Sequence, residues 1–343
     1  MFLSVIVPCY NGQDFILDLL DSIERCNKDI LNEIELLFID DGSTDKTLQI
    51  LQQKTKDLPS LHVINKKHGG IAETRNYGLT ISQGEYVTFC DQDDLCINGW
   101  LPFLQSMRDY DADLLIANYL VRSGDKISSP EHIKSNKVCK TQEIKEMIKR
   151  CFNITTAFGG ECYAHIPRFY PTIWNCIFKR RTLIENGIRI SRFVDYEDDW
   201  KLLTDMLFSS NIVLLNTGFW YQYSKRKESE SHRSKFIKKY FSGREQLRAF
   251  YIKCLSQISI SKKERIGILA LFDKETLLFG FVNNRQLPFQ EYLLAMKGCP
   301  CFLGRTLPLL FYTRKINEFL LIILLSSRLW RTTWLVYSIR TRG

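Results

Sequence analysis

The chain has 343 residues, 45% of them hydrophobic and 25% charged, with a formal net charge of +9. That is enough for one large or two modest domains with a sizeable core, and the positive balance points to an anionic partner: nucleic acid, a membrane surface or a phosphate-bearing substrate. The eleven cysteines include no Cys-Xaa-Xaa-Cys pair and read as free thiols in a reducing, cytosolic compartment.

Met1 to Pro8 is apolar without a basic leader or cleavage site, so it reads as a strand, not a signal peptide. Leu3-Ser4-Val5-Ile6-Val7-Pro8 predicts a buried strand stopped by proline, followed by the loop Cys9-Tyr10-Asn11-Gly12. Phe15, Leu19, Leu20 and Ile23 recur at helical spacing. Glu35 to Ile39 predicts a second buried strand that runs into Asp40-Asp41-Gly42-Ser43-Thr44-Asp45, a turn and helix-cap signal. Leu61-His62-Val63-Ile64 predicts a third strand, Gly69-Gly70 opens a helix carrying Arg75, and Tyr86-Val87-Thr88-Phe89 predicts a fourth strand. This alternation predicts an α/β fold with a mainly parallel sheet and helices on both faces. Ligands gather beyond the carboxyl ends of such strands. The Tyr10 loop, the Asp40-Asp41 turn, the Gly69-Gly70 loop and Asp91 to Asp94 all share that address.

Farther on, Arg122 to Lys140 is polar and predicts a long loop or a hairpin insertion. Thr172 to Lys179 is apolar and aromatic. Phe193 to Asp199 is acidic and precedes an amphipathic helix through Leu202, Leu203 and Met206. Ile212-Val213-Leu214-Leu215 predicts a strand, and from Ser234 onward the pattern is mostly helical.

Asp91, Asp93 and Asp94 crowd the end of the fourth strand. Such carboxylates repel one another unless a cation sits among them, and a hard divalent ion with open positions for phosphate oxygens is the usual answer. A solvated turn is the plain alternative. Were the segment extended, Asp91 and Asp93 would point the same way. Tyr10 offers a π-face for a flat base, and Arg75 behind a glycine pair can reach a phosphate. A turn tyrosine and a solvated arginine are the corresponding plain readings.

In order and spacing, four segments resemble the family-2 glycosyltransferases, bacterial enzymes of the GT-A fold that transfer sugars from nucleotide diphosphates. These are Ser4 to Asn11, Ile39 to Asp45, Gly70 to Leu79 with Arg75 and Asn76, and Asp91-Gln92-Asp93-Asp94. Trp174-Asn175 with Lys179, and Tyr196-Glu197-Asp198-Asp199, resemble the family's acceptor-half motifs. The resemblance covers residues 1 to 233. It implies a nucleotide-sugar-binding half (1–110) and an acceptor-binding and catalytic half (111–233); the mostly helical pattern beyond them marks a C-terminal region (234–343).

The resemblance also implies roles. Pro8, Tyr10, Asp41, Arg75 and Asp91 would hold the nucleotide, Asp41 accepting from a uracil imide and Asp91 contacting the ribose. Asp93 would ligate Mn²⁺ or Mg²⁺, and Asp94 would cap the next segment. Glu197 and Asp198 match the family's Glu-Asp pair, with Asp198 as the base, although the extra Asp199 leaves a one-residue ambiguity. Asp40 can cap a helix while Asp41 binds. Tyr221-Gln222-Tyr223 leading into Arg226, Ser229, Ser231, His232 and Arg233 resembles the family's flexible loop over the diphosphate; a charged linker is the alternative. Trp174 is either a platform for an acceptor sugar or a core residue.

Near the end, Phe319 to Leu325 is apolar and is followed by Arg328, Trp330, Arg331, Trp334, Arg340 and Arg342. The run is short for a membrane span but suits a helix lying on an anionic membrane surface; a helix packed on its own domain or on a partner is the alternative. No nucleic-acid-binding motif accompanies the charge. The resemblance implies an inverting enzyme, and together with these features it predicts one that is cytoplasmic and peripheral on the inner face of the cell membrane. It would move a sugar from a nucleotide diphosphate, a UDP-sugar, to a lipid-linked or polysaccharide acceptor in surface glycan biosynthesis. The rivals are a phosphorylation-receiver module and a non-catalytic sugar-nucleotide binder.

Overall fold

The computed structural model describes residues 2–129, 133–152, 172–191, 198–226, 240–284 and residue 290. Tyr196, Glu197, Ser229, Ser231, His232, Arg233 and the tail from 291 lie outside the described residues, as does the whole loop from Asn153 to Pro171.

The strands are β1 (Leu3–Cys9), β2 (Ile34–Asp40), β3 (Leu61–Asn65), β4 (Tyr86–Phe89), β5 (Leu95–Cys96), β6 (Leu114–Ser123), β7 (Lys126–Ser128), β8 (Lys137–Cys139), β9 (Cys176–Lys179) and β10 (Val213–Lys225). They form one sheet in the order β3-β2-β1-β4-β9-β6-β10-β5, with β7 on β6 and β8 on β10. Neighbours from β3 to β4 are parallel, as are β6 and β10; β9 runs antiparallel between them. The mixed, mainly parallel α/β sheet expected from the sequence is therefore the fold.

Every residue of β1 and β2 is buried, as expected of central parallel strands covered on both faces. The apolar Val5, Val7, Leu36 and Phe38 pack on one side with Ile16, Leu19, Leu20 and Ile23 of α1 (Ile16–Cys26). Fully burying each such side chain contributes roughly 1.5–3 kcal/mol before the entropy of ordering it. A buried carboxylate lies on the opposite face of these strands. Glu35 accepts from Ser4 Oγ and from the amides of Gln83 and Gly84, so the chain leading into β4 is tied to the start of β1 and β2.

The helices α2 (Thr47–Lys54), α3 (Ile71–Ile81), α4 (Leu101–Asp109), α5 (Thr141–Cys151), α6 (Arg180–Glu185) and α7 (Asp198–Ser209) complete this part. The polar stretch after Arg122 is a hairpin, β6 turning back as β7. The strand predicted at Ile212 to Leu215 runs much farther, to Lys225. Asn216-Thr217-Gly218 hides the continuation: the pairing with β6 shifts register between Asn216 and Phe219, and Asn216 Oδ1 accepts the Gly218 amide across the irregularity. Tyr221, Gln222 and Tyr223 are thus strand residues that precede Arg226.

The chain divides into two compact units. One comprises Met1–Ile148, His165–Ser191 and Glu197–Ser229; the other comprises Lys149–Ala164, Arg192–Tyr196 and Glu230–Gly343. The described part of the second contains α8 (Tyr240–Gln257) and α9 (Lys262–Asn284). At the start of α9 the Ser261 amide donates to Glu264 Oε2 and the Glu264 amide to Ser261 Oγ, a capping box. Arg248 donates to both oxygens of the buried Asp273, at 2.7 and 3.0 Å, joining the two helices. Among the described residues no helix is long and apolar enough to cross a membrane. The described cysteines are free, and Cys9, Cys90, Cys96, Cys139, Cys176 and Cys254 are buried.

Candidate active site

The segments singled out in the sequence meet at the carboxyl ends of β1, β2 and β4. Pro8 is buried in β1 opposite Ile39 of β2, at the end of the parallel ladder, and the chain leaves the sheet at Cys9. Tyr10 follows, 44% exposed, with its ring 4.6 Å from that of His68. The loop is tied to the one after β2: Asn11 N–H donates to Ser43 Oγ and Gly12 N–H to Thr47 Oγ1, while Thr44 N–H donates to Asn11 Oδ1.

Asp40 closes the turn after β2 by accepting the Ser43 amide at 3.2 Å, so its task is local. Asp41 is buried and organises the loop after β3. Its Oδ1 accepts from Lys66 Nζ at 2.7 Å and the Gly69 amide at 2.9 Å; its Oδ2 accepts the Gly70 amide at 2.8 Å and lies 3.0 Å from His68 Nδ1. Burial raises the pKa of this carboxyl, but the donors from Lys66, Gly69 and Gly70 outweigh it and hold it below the ordinary value. Gly70 sits at φ 91°, a conformation that favours glycine, and leads directly into α3.

Arg75, on α3, is 5% exposed and spans two acids. One nitrogen donates to Asp91 Oδ1 at 2.6 Å and another to Asp199 Oδ1, in the first turn of α7, at 3.3 Å. Burial disfavours its charge, yet Asp91 and Asp199 more than compensate and raise its pKa. Asp199 is pushed up to about 6: burial raises it, Arg75 opposes, and Asp91 adds to the rise.

The acidic cluster is a turn, not an extended segment. The Asp94 amide donates to the Asp91 carbonyl at 3.2 Å, so Asp91 and Asp93 do not alternate as strand neighbours. Asp94 is also not a cap for the next segment. It is 2% exposed and accepts from Tyr221 Oη at 2.5 Å and from the Ser224 amide at 2.7 Å, both on β10. Burial and the charges of Asp91 and Asp93 push its pKa well above the carboxylate range. Tyr221 Oη also accepts the Asp91 amide at 3.1 Å, so one phenol fixes both ends of the turn. Tyr221 escaped notice as a support because its partners lie far away in sequence.

Asp93 is a third exposed. Burial and the Asp91 charge raise its pKa, and Arg226 opposes them. Arg226 lies with one nitrogen 3.4 Å from Asp93 Oδ2, donates to the Asp93 carbonyl at 2.7 Å, and covers the Phe15 ring at 3.8 Å. Trp174 is a core residue: 6% exposed, it stacks on Tyr221 and Tyr223 with centroids at 4.6 and 5.9 Å, and meets Tyr119 edge-on. Asp198 is the first residue of α7, while Glu197 lies outside the described residues.

Among the described residues no three His, Cys, Asp or Glu side chains form a cage for a metal ion. Asp93, whose ionised form is disfavoured by burial and then by the Asp91 charge, does suit a hard dication held by one or two carboxylates and completed by phosphate oxygens and water. The donor set fits Mg²⁺ or Mn²⁺ in that form.

Residues 4–168 match the model of the family described as Glycosyl transferase family 2. The chain is 25% identical over 198 residues to the uncharacterized glycosyltransferase EpsJ of Bacillus subtilis, covering 57% of this chain and 53% of EpsJ. It is 27% identical over 232 residues to the glycosyltransferase GlyG of Streptococcus pneumoniae, covering 66% of this chain and 72% of GlyG. The match thus spans about half the length of EpsJ. The fold is that of S. aureus TarS 1-349, solved in complex with UDP-GlcNAc: TM-score 0.68, 20% identity, 100% of this chain and 92% of that one.

Proposed function

We propose, from the premise that the chain belongs to glycosyl transferase family 2 through its residues 4–168, that it is an inverting GT-A glycosyltransferase. It moves a sugar from a UDP-sugar to a hydroxyl of a lipid-linked or polysaccharide acceptor in surface glycan biosynthesis. One observation carries this reading. An exposed tyrosine, the Asp41 loop and the Arg75–Asp91 pair with its acidic turn converge at the carboxyl ends of three adjacent parallel strands. An aromatic face with a buried carboxylate matches the base of such a donor, and the acidic turn matches its ribose and diphosphate.

On this reading the base stacks on Tyr10. Both oxygens of Asp41 are engaged, so a uracil imide reaches it in place of His68, whose side chain is 59% exposed. That exchange would also clear the Tyr10 ring. Asp91 contacts the ribose, and Arg75 holds Asp91 in place. Asp93, with Asp91 nearby, would hold Mg²⁺ or Mn²⁺, which when bound neutralises charge on the departing diphosphate. At the acceptor, Asp198 takes the proton from the incoming hydroxyl as its oxygen bonds to the anomeric carbon. The electron pair of the sugar–phosphate bond leaves with the UDP, which inverts that carbon. Asp199 already serves Arg75, which supports leaving the proton to Asp198. The apolar and arginine-rich tail from Phe319 supports placement on the inner face of the cell membrane.

Calorimetry with UDP, GDP and ADP, followed by a panel of UDP-sugars for hydrolysis with and without Mn²⁺, tests the proposal. UDP is expected to bind best and at least one UDP-sugar to be hydrolysed. Failure to bind any of the three nucleotides removes the donor reading.

A further inference from the structure

Gln92 stands between the two acids of the turn, and its side-chain amide is spent on a single distant residue. Its Oε1 accepts the Tyr10 N–H at 3.0 Å, and its Nε2 donates to the Tyr10 carbonyl at 2.9 Å. That reciprocal pair is what a neighbouring strand would give. The β1–β4 ladder has already ended at Ile6 and Phe89, with a last bond from the Cys90 amide to the Ile6 carbonyl. On its other side β1 keeps β2, and the amide of Asp41, the residue just after β2, reaches the Cys9 carbonyl at 2.8 Å. Tyr10 therefore has neither peptide group paired by the sheet on the β4 side, and Gln92 supplies both bonds. Space is reserved for it: a Cβ at Gly12 would stand 2.2 Å from Gln92 Oε1 and 2.6 Å from its Cδ.

We propose that Gln92 is a positioning residue, a clasp that fixes the aromatic base platform at Tyr10 to the acidic turn at Asp91 and Asp93, so that the two ends of the donor site are set as one unit. The proposal rests on the donor reading above for its functional meaning. The bonds span the site from end to end, because Tyr10 follows β1 while Gln92 lies inside the turn that carries Asp91 and Asp93. A ligand that touches both ends, such as UDP, benefits from their being held in register before it arrives. A ligand that touches one end, such as uracil, has little to gain.

The test uses the full chain and two variants. Gln92→Met keeps the shape and loses both hydrogen bonds; Gln92→Glu keeps the acceptor for the Tyr10 amide and loses the donor. Hydrogen exchange of the peptide containing Tyr10, read by mass spectrometry without ligand, is expected to quicken in Gln92→Met. Calorimetry in Mn²⁺ is expected to show UDP about tenfold weaker in Gln92→Met, the order expected from two partly solvated hydrogen bonds, with Gln92→Glu between and uracil little changed. Tyr10→Ala is expected to weaken UDP less in the Gln92→Met background than alone, a coupling that general loss of stability does not produce. Unchanged exchange, or equal weakening of UDP and uracil with no coupling to Tyr10, overturns the clasp. A wild-type chain that binds no UDP instead overturns the donor reading and with it the positioning role, while the exchange arm reports separately on the hydrogen bonds.

Discussion

Arg75 and Asp199 are 124 positions apart in the chain and 3.3 Å apart in the fold, and the same guanidinium holds Asp91 at 2.6 Å. A single buried cation thus ties the acidic turn after β4 to the first turn of α7. Removing Arg75 leaves two acids facing each other with their shared partner gone. Arg75→Met is expected to lower stability by roughly 3–5 kcal/mol, the order for an ion pair broken on one side, and to weaken UDP binding. Urea unfolding and calorimetry on that variant check both; a variant as stable as wild type places the acids' neutralisation elsewhere.

The pH dependence of stability follows from Asp199. Its pKa is raised to about 6 in the fold from an ordinary 3.8, chiefly by burial, so the folded state holds this proton more tightly than the unfolded chain. The group contributes stability fully below about pH 4 and loses it as the pH rises through about 6. Asp199→Asn does not titrate. Relative to wild type, its unfolding free energy is therefore expected to improve by on the order of 2–3 kcal/mol between pH 4 and 6, then stay level, with lost pairing to Arg75 as a constant offset. Parallel curves for the two proteins over that range would contradict the assignment.

Proton transfer separates the neighbouring acids. Asp198→Asn is expected to leave UDP affinity near wild type and cut sugar transfer ~10²–10⁴-fold, because only deprotonation of the acceptor is lost. Asp199→Asn is expected to weaken the Arg75–Asp91 arrangement and with it donor binding. The measurement is UDP affinity and transfer rate on both variants. Should Asp199→Asn bind UDP normally and be inactive while Asp198→Asn turns over, the base is Asp199.

Tyr221→Phe removes the hydroxyl that donates to Asp94 and accepts from the Asp91 amide. The buried Asp94 then keeps the Ser224 amide among its donors and loses the phenol. A cost of about 1–3 kcal/mol is expected, together with weaker UDP binding, since the turn loses its fixed end. Urea denaturation and calorimetry read the two effects; stability within error of wild type would show that the phenol is dispensable.

Much of this was legible because the informative residues lie in short runs. Ser4 to Pro8 and Leu36 to Ile39 announce buried parallel strands by composition alone, and the polar turns that follow mark the ligand-binding edge. The contacts that unite the site were not legible, since they join residues far apart. Nothing near Arg75 points to Asp199, and nothing near Asp94 points to Tyr221 and Ser224. Asn216-Thr217-Gly218 also breaks the apolar pattern of β10, so the strand that supplies those partners ended too early in the sequence reading. Trp174 shows the limit from the other side: an aromatic residue in a motif reads equally as platform or core, and its stacking on Tyr221 and Tyr223 decides for core.

The tail makes a separate expectation. Apolar Phe319 to Leu325 beside Arg328, Trp330, Arg331 and Trp334 suits a membrane surface, each arginine adding on the order of 1 kcal/mol near anionic lipid. Sedimentation of the full chain with anionic vesicles is expected to fall with rising salt. A chain lacking residues 317–343 should sediment weakly at every salt while still binding UDP. Vesicle binding unaffected by the truncation would move the membrane contact elsewhere.

Asp93 is the sharpest test of the acidic turn. Its carboxylate has Arg226 3.4 Å away, and burial together with Asp91 disfavours its charge, so a divalent cation arriving with the donor meets a carboxylate that gains from it. Asp93→Ala removes that oxygen donor without touching Tyr221, Asp94 or the Arg75–Asp91 pair, so the fold is expected to survive with an unchanged melting temperature. Transfer supported by Mn²⁺ or Mg²⁺ is expected to drop ~10²–10⁴-fold. Uridine binding should persist, because Tyr10 and Asp41 are intact. Asp93→Asn, which keeps one oxygen but loses the charge, should fall between the two. Near-wild-type transfer by Asp93→Ala at saturating Mn²⁺ would remove Asp93 as a metal ligand.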